Sequence, residues 1–182
     1  MKSQLLMQFD LHHRIFNNVL EDLSDKETNI RVNGNTNMNH IKYIAGHLMS
    51  TQYGFAYLAG LRPEEKWNEL FSPASGSRAM DNIAYPDIGE IAGEWNHMYE
   101  GIREGLVQLP ADTLHSRPPS PMDGIIGNTT LGTVFDNTIA GLWAFFNHHQ
   151  AYHIGQIGVL RRGLGKKAMR YDGPEVYSNE NK

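Results

Sequence analysis

The stretch Asn147-His148-His149-Gln150-Ala151-Tyr152-His153-Ile154-Gly155-Gln156 is the most informative part of the chain, because it places three of the nine histidines close together. It lies in a long apolar-periodic run without proline, which predicts a helix. Residues four apart share one face of a helix, so His149 and His153 are positioned to bind one metal ion together. His148 is one residue out of phase with this pair, and we expect it to lie outside the site.

The composition is that of a single globular domain, with 182 residues, of which 40% are hydrophobic and 20% charged. We expect one domain over residues 1–182, with a core at 3–165 and a polar tail at 166–182. The net charge is −4, and basic residues cluster only in two short pairs near the end of the last predicted helix. Because phosphate binding needs a basic surface, we do not expect nucleic acid as a partner.

Cysteine is absent, which excludes disulfides, cysteine-based zinc sites and cysteine nucleophiles. The first residues lack the apolar segment and the cleavage site of a signal peptide. No run of about 18 apolar residues is present that would span a membrane. We therefore expect a cytoplasmic protein, without a membrane partner, that acts on a small molecule.

Apolar residues recur every three or four positions in four segments of the chain, which predicts four amphipathic helices. These segments are 3–29, 39–60, 87–109 and 130–163. The last would contain about 33 residues and extend for about 50 Å. No segment has a convincing strand pattern, so the sequence predicts an all-α fold, a four-helix bundle.

Local signals set the expected ends of these helices. Asn37 or Asn39 is the predicted N-cap of the second helix, and Gly60 ends it. Asp87, which follows a proline, opens the third helix. The connections at 61–86 and 110–129 are long and rich in proline and glycine, and Trp67 and Phe71 predict a short helical turn that covers one end of the core.

A third histidine makes the metal hypothesis stronger. His47 lies on the core-facing stripe of the second helix, and facing helices of a bundle are where such sites are built. Together with His149 and His153 it would supply three neutral imidazoles and leave a coordination position open for water or substrate. Imidazole suits zinc, nickel, copper or iron. The competing interpretation is that His149 and His153 only flank a polar strip on a surface helix.

Three further histidines are expected to have structural or incidental roles. His12 falls on an apolar stripe, which is typical of a hydrogen-bonded core histidine. His97 lies off the stripe of its helix and His115 lies in a connection, so we expect both to face solvent.

Other side chains near the pair are candidates for supporting roles. Gln156 continues the face of His149 and His153 and is the first candidate to orient an imidazole, followed by Tyr152 and Asn147. Arg161 and Arg162 either complement the dipole at the helix C-terminus, which we favour, or bind an anionic group of a cofactor.

Several stretches carry a resemblance to a known family. The segment 146–157, which runs on into Leu160-Arg161-Arg162-Gly163-Leu164-Gly165, resembles the last helix of the DinB/YfiT-like family of metal-dependent enzymes, with its His-x3-His-x-Gly-Gln pattern. The segment 41–48, with Gly46-His47-Leu48, resembles the family's other motif, and 85–88 resembles the entry to its third helix. The resemblance extends from about residue 3 to 170.

The resemblance implies a four-helix bundle in up-up-down-down order and a divalent metal ion bound by His47, His149 and His153. It also implies a homodimer and a reaction with a low-molecular-weight thiol, either its transfer to an electrophilic small molecule, which we favour, or a thiol-dependent isomerisation. We expect zinc or nickel as the metal. Two positions depart from the family pattern, because Gln150 stands where glutamate is common and Ile154 where a basic residue is common.

Three functions remain open from the sequence. The first is a metal-dependent thiol transferase, because a metal-bound thiol is deprotonated and becomes a nucleophile. The second is a metal-dependent hydrolase, in which the same ion activates water. The third is a stress-response bundle without enzymatic activity.

Overall fold

The computed structural model describes residues 1–71 and 78–171. These residues form helices joined by turns, and no strand occurs among them, which confirms the all-α class. None of these helices is long and apolar enough to cross a membrane. The helices are α1 (Lys2–Leu20), α2 (Asp25–Thr28), α3 (Ile41–Leu58), α4 (Asn68–Phe71), α5 (Ile88–Gln108), α6 (Asp123–Gly127) and α7 (Ile139–Gly163).

Helices α1, α3, α5 and α7 form a four-helix bundle, in which α1 and α3 each pack against both α5 and α7. The predicted apolar stripes supply its core, and aromatic rings fill the centre. The Phe55 ring lies 5.1 Å from the Phe9 ring and 4.5 Å from the Trp143 ring. Side chains that are fully buried come from all four helices, among them Phe9, Phe16, Leu48, Phe55, Ile91, Trp95, Ile102, Leu106 and Trp143.

Helix α1 runs parallel to α7 and antiparallel to α5. Contacts with α7 advance along both helices together, from the pair His12–Asn147 to the pair Asn18–Arg161. In the contacts with α5, the residue numbers rise along α1 while they fall along α5. They run from Lys2 against Leu109, through Asp10 against Arg103, to Asn17 against Asn96.

Helix α3 runs antiparallel to α7, because His47 contacts His149 whereas Phe55, two turns later, contacts Trp143. It runs parallel to α5, with Tyr53 near Glu94 and Ala59 near Gly105. The order is therefore up-down-down-up, and the predicted up-up-down-down order is wrong.

The connection between α3 and α5 explains this order, because it returns the chain along the length of the bundle. It starts at the shared end of α3 and α5, and the backbone N–H of Lys66 donates to the hydroxyl of Tyr53 at 2.8 Å. Further on, the fully buried ring of Phe71 packs over Gly46. A Cβ at position 46 would overlap that ring, so the glycine is needed for this close approach. The prediction that Phe71 covers the core is confirmed, while residues 72–77 of this connection lie outside the described part.

Two predicted helices are shorter in the structure. The first ends at Leu20, because Asp22 adopts a left-handed backbone (φ 60°) and Ser24 then caps the separate helix α2 in a capping box with Glu27. The last predicted helix was expected from residue 130, but α7 begins at Ile139 and contains 25 residues. Thr138 caps it by accepting the Gly141 N–H, and a 3-10 turn occupies Thr130–Thr133.

The predicted N-cap of α3 is also wrong. His40 occupies this position, and its Nδ1 accepts the backbone N–H of Tyr43 at 3.1 Å. Asn39 instead uses its Oδ1 to accept the N–H of Ala79. The other predicted helix ends are confirmed, with Gly60 at a φ of 84° after α3 and a capping box at the start of α5.

Arg161 does not extend into solvent at the end of its own helix, because its guanidinium contacts the end of α1. It is buried, with 3% of its surface exposed, and its guanidinium donates to the backbone oxygens of Asn18, Val19 and Glu21 at 2.9–3.1 Å. These carbonyls lie at the C-terminal end of α1, where backbone oxygens run out of helical donors. That of Asn18 also accepts the backbone N–H of Glu21 at 3.2 Å. Arg161 therefore joins the C-terminal ends of the two parallel helices, while Arg162 is exposed.

The first residues of the predicted polar tail contact the bundle. Lys166 forms an ion pair with Glu27 at 2.8 Å, and Met169 packs against the core beside Gly158. Residues 172–182 of the predicted tail lie outside the described residues.

We expect Arg161→Met to lower the free energy of unfolding by about 2–4 kcal/mol, because it removes the buried guanidinium that donates to three carbonyls at the end of α1. Arg162→Met is the matched control at an exposed position and should change it by less than about 0.5 kcal/mol. Urea denaturation followed by circular dichroism measures both, and equal stability of the two variants would contradict this role of Arg161.

Because His40 caps α3, we expect the stability of the protein to depend on pH. Burial, together with the charges of Arg31 and Lys42, lowers the pKa of His40 to about 4. The unfolded chain therefore binds the proton first, so this histidine's contribution to stability is complete above pH of about 6.5 and is lost as the pH falls toward 4. Protonation also removes the lone pair that accepts the Tyr43 N–H.

We expect His40→Asn, which keeps an N-cap acceptor but does not titrate, to lose less stability than the wild type between pH 6.5 and 4. Urea denaturation at several pH values, in buffer with a chelator, measures the two slopes. Parallel slopes would show that His40 does not contribute to the acid sensitivity.

Candidate metal centre

Helices α3 and α7 bring the three predicted histidines together. The Nε2 atom of His149 lies 3.2 Å from Nε2 of His47 and 3.1 Å from Nε2 of His153. Within the described residues, this is the group of three whose candidate ligand atoms all lie within 4.8 Å of one another. All three side chains are half-buried, so the cluster is held by the bundle and still reached from its surface.

A backbone carbonyl orients the first imidazole. The Nδ1–H of His47 donates to the carbonyl oxygen of Phe71 at 3.2 Å. A carbonyl only accepts, so this bond places the proton on Nδ1 and leaves the lone pair on Nε2. The Ser50 hydroxyl donates to the His47 carbonyl one turn away, at 2.9 Å, and lies within 3.5 Å of the same Phe71 oxygen.

A side-chain amide orients the second imidazole. The Nδ1–H of His153 donates to Oε1 of Gln156 at 2.7 Å, so its Nε2 also carries a lone pair. Gln156 therefore has the contact that was predicted for it. Tyr152, the other candidate, contacts the cluster through its ring, whose centroid lies 4.9 Å from that of His153, and 59% of its surface is exposed.

The positions of the imidazole protons explain why these three residues fit a divalent cation. The Nε2 lone pairs of His47 and His153 both point at Nε2 of His149. A proton on that nitrogen could form a hydrogen bond with only one of the two lone pairs. A cation accepts electron pairs from all three nitrogens at once. Nitrogens bound to a tetrahedral ion at about 2.05 Å lie about 3.3 Å apart, close to the separations of this cluster.

The environment keeps these imidazoles neutral, as metal ligands must be. Burial and the neighbouring histidines lower the pKa of His149 to about 3. Burial also lowers the pKa values of His47 and His153, although the hydrogen bonds to Phe71 and Gln156 act in the opposite direction. Protons therefore compete weakly for the cluster near neutral pH.

His12, His97, His115 and His148 lie as expected, and Asn147 does not. His12 is buried, and its Nδ1 lies 3.2 Å from Oδ1 of Asn147, whose amide donates to the Leu5 carbonyl. Asn147 thus supports His12 in the core and not the cluster. His148, although next to His149, is exposed, as are His97 and His115.

The two departures from the family pattern lie on the core side of α7. Gln150 and Ile154 are both fully buried. Each follows a cluster histidine directly, and one step along a helix rotates the side chain by about 100°, away from the cluster. The Gln150 amide has no hydrogen-bond partner among the residues that the structure describes.

Sequence reasoning missed the contact from Phe71. A backbone oxygen leaves no residue-type signal, and this one comes from a connection 24 positions away from His47. The only signal in the sequence is Gly46, next to His47, whose lack of a side chain permits a close approach, and the group that approaches is the Phe71 ring.

A groove of about 540 Å³ lies beside the cluster. Gln156 and Tyr152 line it from α7 and Ile44 from α3, and Met38 and Asn39 line it from the segment before α3. The groove therefore shares a wall with the orienting contacts of His153.

A comparison with known protein families identifies a match. The family model described as the DinB superfamily matches residues 8–157. No individual curated protein matches the chain. The matched range includes the whole histidine cluster and Gln156.

We expect untagged protein to retain about one zinc or nickel ion per chain. Each of the variants His47→Ala, His149→Ala and His153→Ala should weaken metal affinity more than loss of a ligand's hydrogen-bond partner does, which costs about 10–100-fold. His148→Ala is the matched control, since it changes the neighbouring exposed imidazole of α7. Mass spectrometry of metal content and titration against a chromogenic chelator measure the effect. If the triad variants and His148→Ala retain metal equally, the cluster is not the binding site.

Proposed function

The chain belongs to the DinB superfamily, and we propose that it is a metal-dependent enzyme that transfers a low-molecular-weight thiol to a small electrophile. His47, His149 and His153 would hold the ion, for which we propose zinc or nickel. The observation that supports this most is the convergence of three Nε2 atoms, two of them with their Nδ1 protons already engaged.

The half-burial of the cluster supports catalysis more than a purely structural role. Three protein ligands leave room for a fourth, and this is typical of catalytic sites. When bound, the ion would supply Lewis acidity that keeps a coordinated thiol deprotonated at neutral pH. The protein's own part is to hold the imidazoles in one tautomer, through the Phe71 carbonyl and the Gln156 amide, and to present them to a groove.

The surroundings of the cluster favour a thiol over water as the nucleophile. Among the described residues, the groups that shift the pKa values of His149 and His153 are other histidines and the Gln156 amide, and no carboxylate is one of them. Metal-dependent hydrolysis generally uses a carboxylate or another base to manage the proton of the attacking water. A thiol deprotonated by coordination needs no such base, so this site is better equipped for thiol transfer.

The reaction can be written for a halomethyl electrophile such as monobromobimane. The thiolate sulfur attacks the carbon that carries bromine, a C–S bond forms, the C–Br bond breaks, and bromide leaves with the electron pair. The thiol proton is released to solvent. The homodimer stays a prediction of the family resemblance, and the cytoplasmic location stays a prediction from the sequence.

We expect the zinc- or nickel-loaded protein to accelerate the conjugation of monobromobimane with at least one of a panel of cellular thiols, including glutathione, cysteine and coenzyme A. His149→Ala should fall to the uncatalysed rate because it removes the central ligand, while His148→Ala should keep the wild-type rate. Fluorescence of the bimane conjugate measures the reaction. Turnover of ester substrates without any thiol, in place of conjugation, would contradict thiol transfer and indicate a hydrolase.

A further inference from the structure

The groove beside the cluster is lined by uncharged polar and apolar side chains, and this indicates the kind of molecule that it would bind. None of the residues that line it among those described carries a charge. Its polar groups are the amides of Asn37, Asn39 and Gln156 and the Tyr152 hydroxyl, and its walls are aliphatic. A cavity of about 540 Å³ is within the usual range for small-molecule sites.

Exposed apolar side chains surround the mouth of this groove. Met38 is 36% exposed, Tyr152 59% and Val159 69%. Large apolar residues grouped around one cavity mark a surface that is covered when a ligand binds. Their burial would contribute to binding in proportion to the apolar area removed from water.

Gln156 connects the groove to the cluster. Its Oε1 accepts the Nδ1–H of His153 at 2.7 Å, and the same side chain lines the groove. Since the oxygen is engaged, the amide NH₂ remains as a donor for a carbonyl group of a bound molecule. A molecule in the groove would then lie one side chain away from His153.

We propose that this groove is the subsite for an uncharged, largely apolar co-substrate that carries a carbonyl or similar acceptor, and that it excludes anions. A carboxylate placed there would lose water, and none of the residues that line the groove would offer it a cationic partner, which is unfavourable. A thiol that carries carboxylates, such as glutathione, would therefore bind elsewhere. That the occupant is the electrophile rests on the proposed function, whereas the preference for uncharged molecules rests on the groove alone.

Gly155 provides a way to close the groove without disturbing the core. It lines the groove, and a Cβ built on it meets no atom within 4 Å. Gly93, in α5, also has open space around its missing Cβ and does not line the groove. Leucine at each position adds the same side chain to the middle of a helix, so Gly93→Leu is a matched control for Gly155→Leu.

Binding of 1-naphthaleneacetamide and of 1-naphthaleneacetate, which are similar in size and differ in charge, tests the proposal with zinc-loaded protein. We expect the amide to bind at least tenfold more tightly than the acetate, as measured by NMR titration, with shifts at Gln156 and Val159. Gly155→Leu should weaken amide binding at least tenfold, while Gly93→Leu should leave it unchanged. All three proteins should retain the same metal content.

Three outcomes would overturn the proposal: no saturable binding of the amide, equal or tighter binding of the acetate, or equal binding to the two leucine variants. None of these measurements requires turnover. The groove can therefore pass this test when thiol transfer fails, and thiol transfer can be observed when the groove fails it.

Discussion

The antiparallel contact between α3 and α7 is the interaction on which the rest of the site depends. It sets His47 against His149 and His153, with Nε2 separations of 3.1–3.2 Å between neighbours. The same contact continues into the aromatic core, where Phe55 meets Trp143 and where the Phe146 ring fills the space left by Gly54. Because apolar packing on this scale positions the backbones, it also positions the imidazoles, which have little freedom to move apart.

The up-down-down-up order follows from a connection that returns along α3. This connection does more than link two helices, because it carries Phe71 to the level of the cluster. Burial of a ring of this size is worth about 1.5–3 kcal/mol, enough to hold the segment in place. The carbonyl oxygen that orients His47 is thus positioned by the side chain of the same residue.

Much of the fold and of the candidate site could be predicted from the sequence, because they depend on periodic patterns. The stripes identified the four long helices and their buried faces, and phase alone separated His149 and His153 from His148. The helix ends were less predictable, since they depend on single contacts such as the His40 cap and the bond between Thr138 and Gly141. The helix order that the family resemblance implied was wrong, and the apolar stripes could not correct it, because periodicity carries no information on how a long connection runs.

Side chains with two possible partners were also difficult to assign. Asn147 lies only two residues before His149, but its side chain contacts His12, and the Arg161 side chain contacts the end of α1. In both cases the deciding partner lies on another helix more than a hundred positions away in sequence. Gln156 was predictable because its partner, His153, lies on the same helix and three residues away.

The Phe71 carbonyl has a consequence for how this protein tolerates change. A side-chain partner such as Gln156 can be removed by one substitution, but a backbone oxygen is supplied by every amino acid. The orientation of His47 is therefore insensitive to the identity of the residue that accepts its proton, provided that a large apolar ring still anchors the segment over Gly46. It is sensitive instead to chain length, because an insertion or deletion between the end of α3 and Phe71 would shift that oxygen out of register with His47.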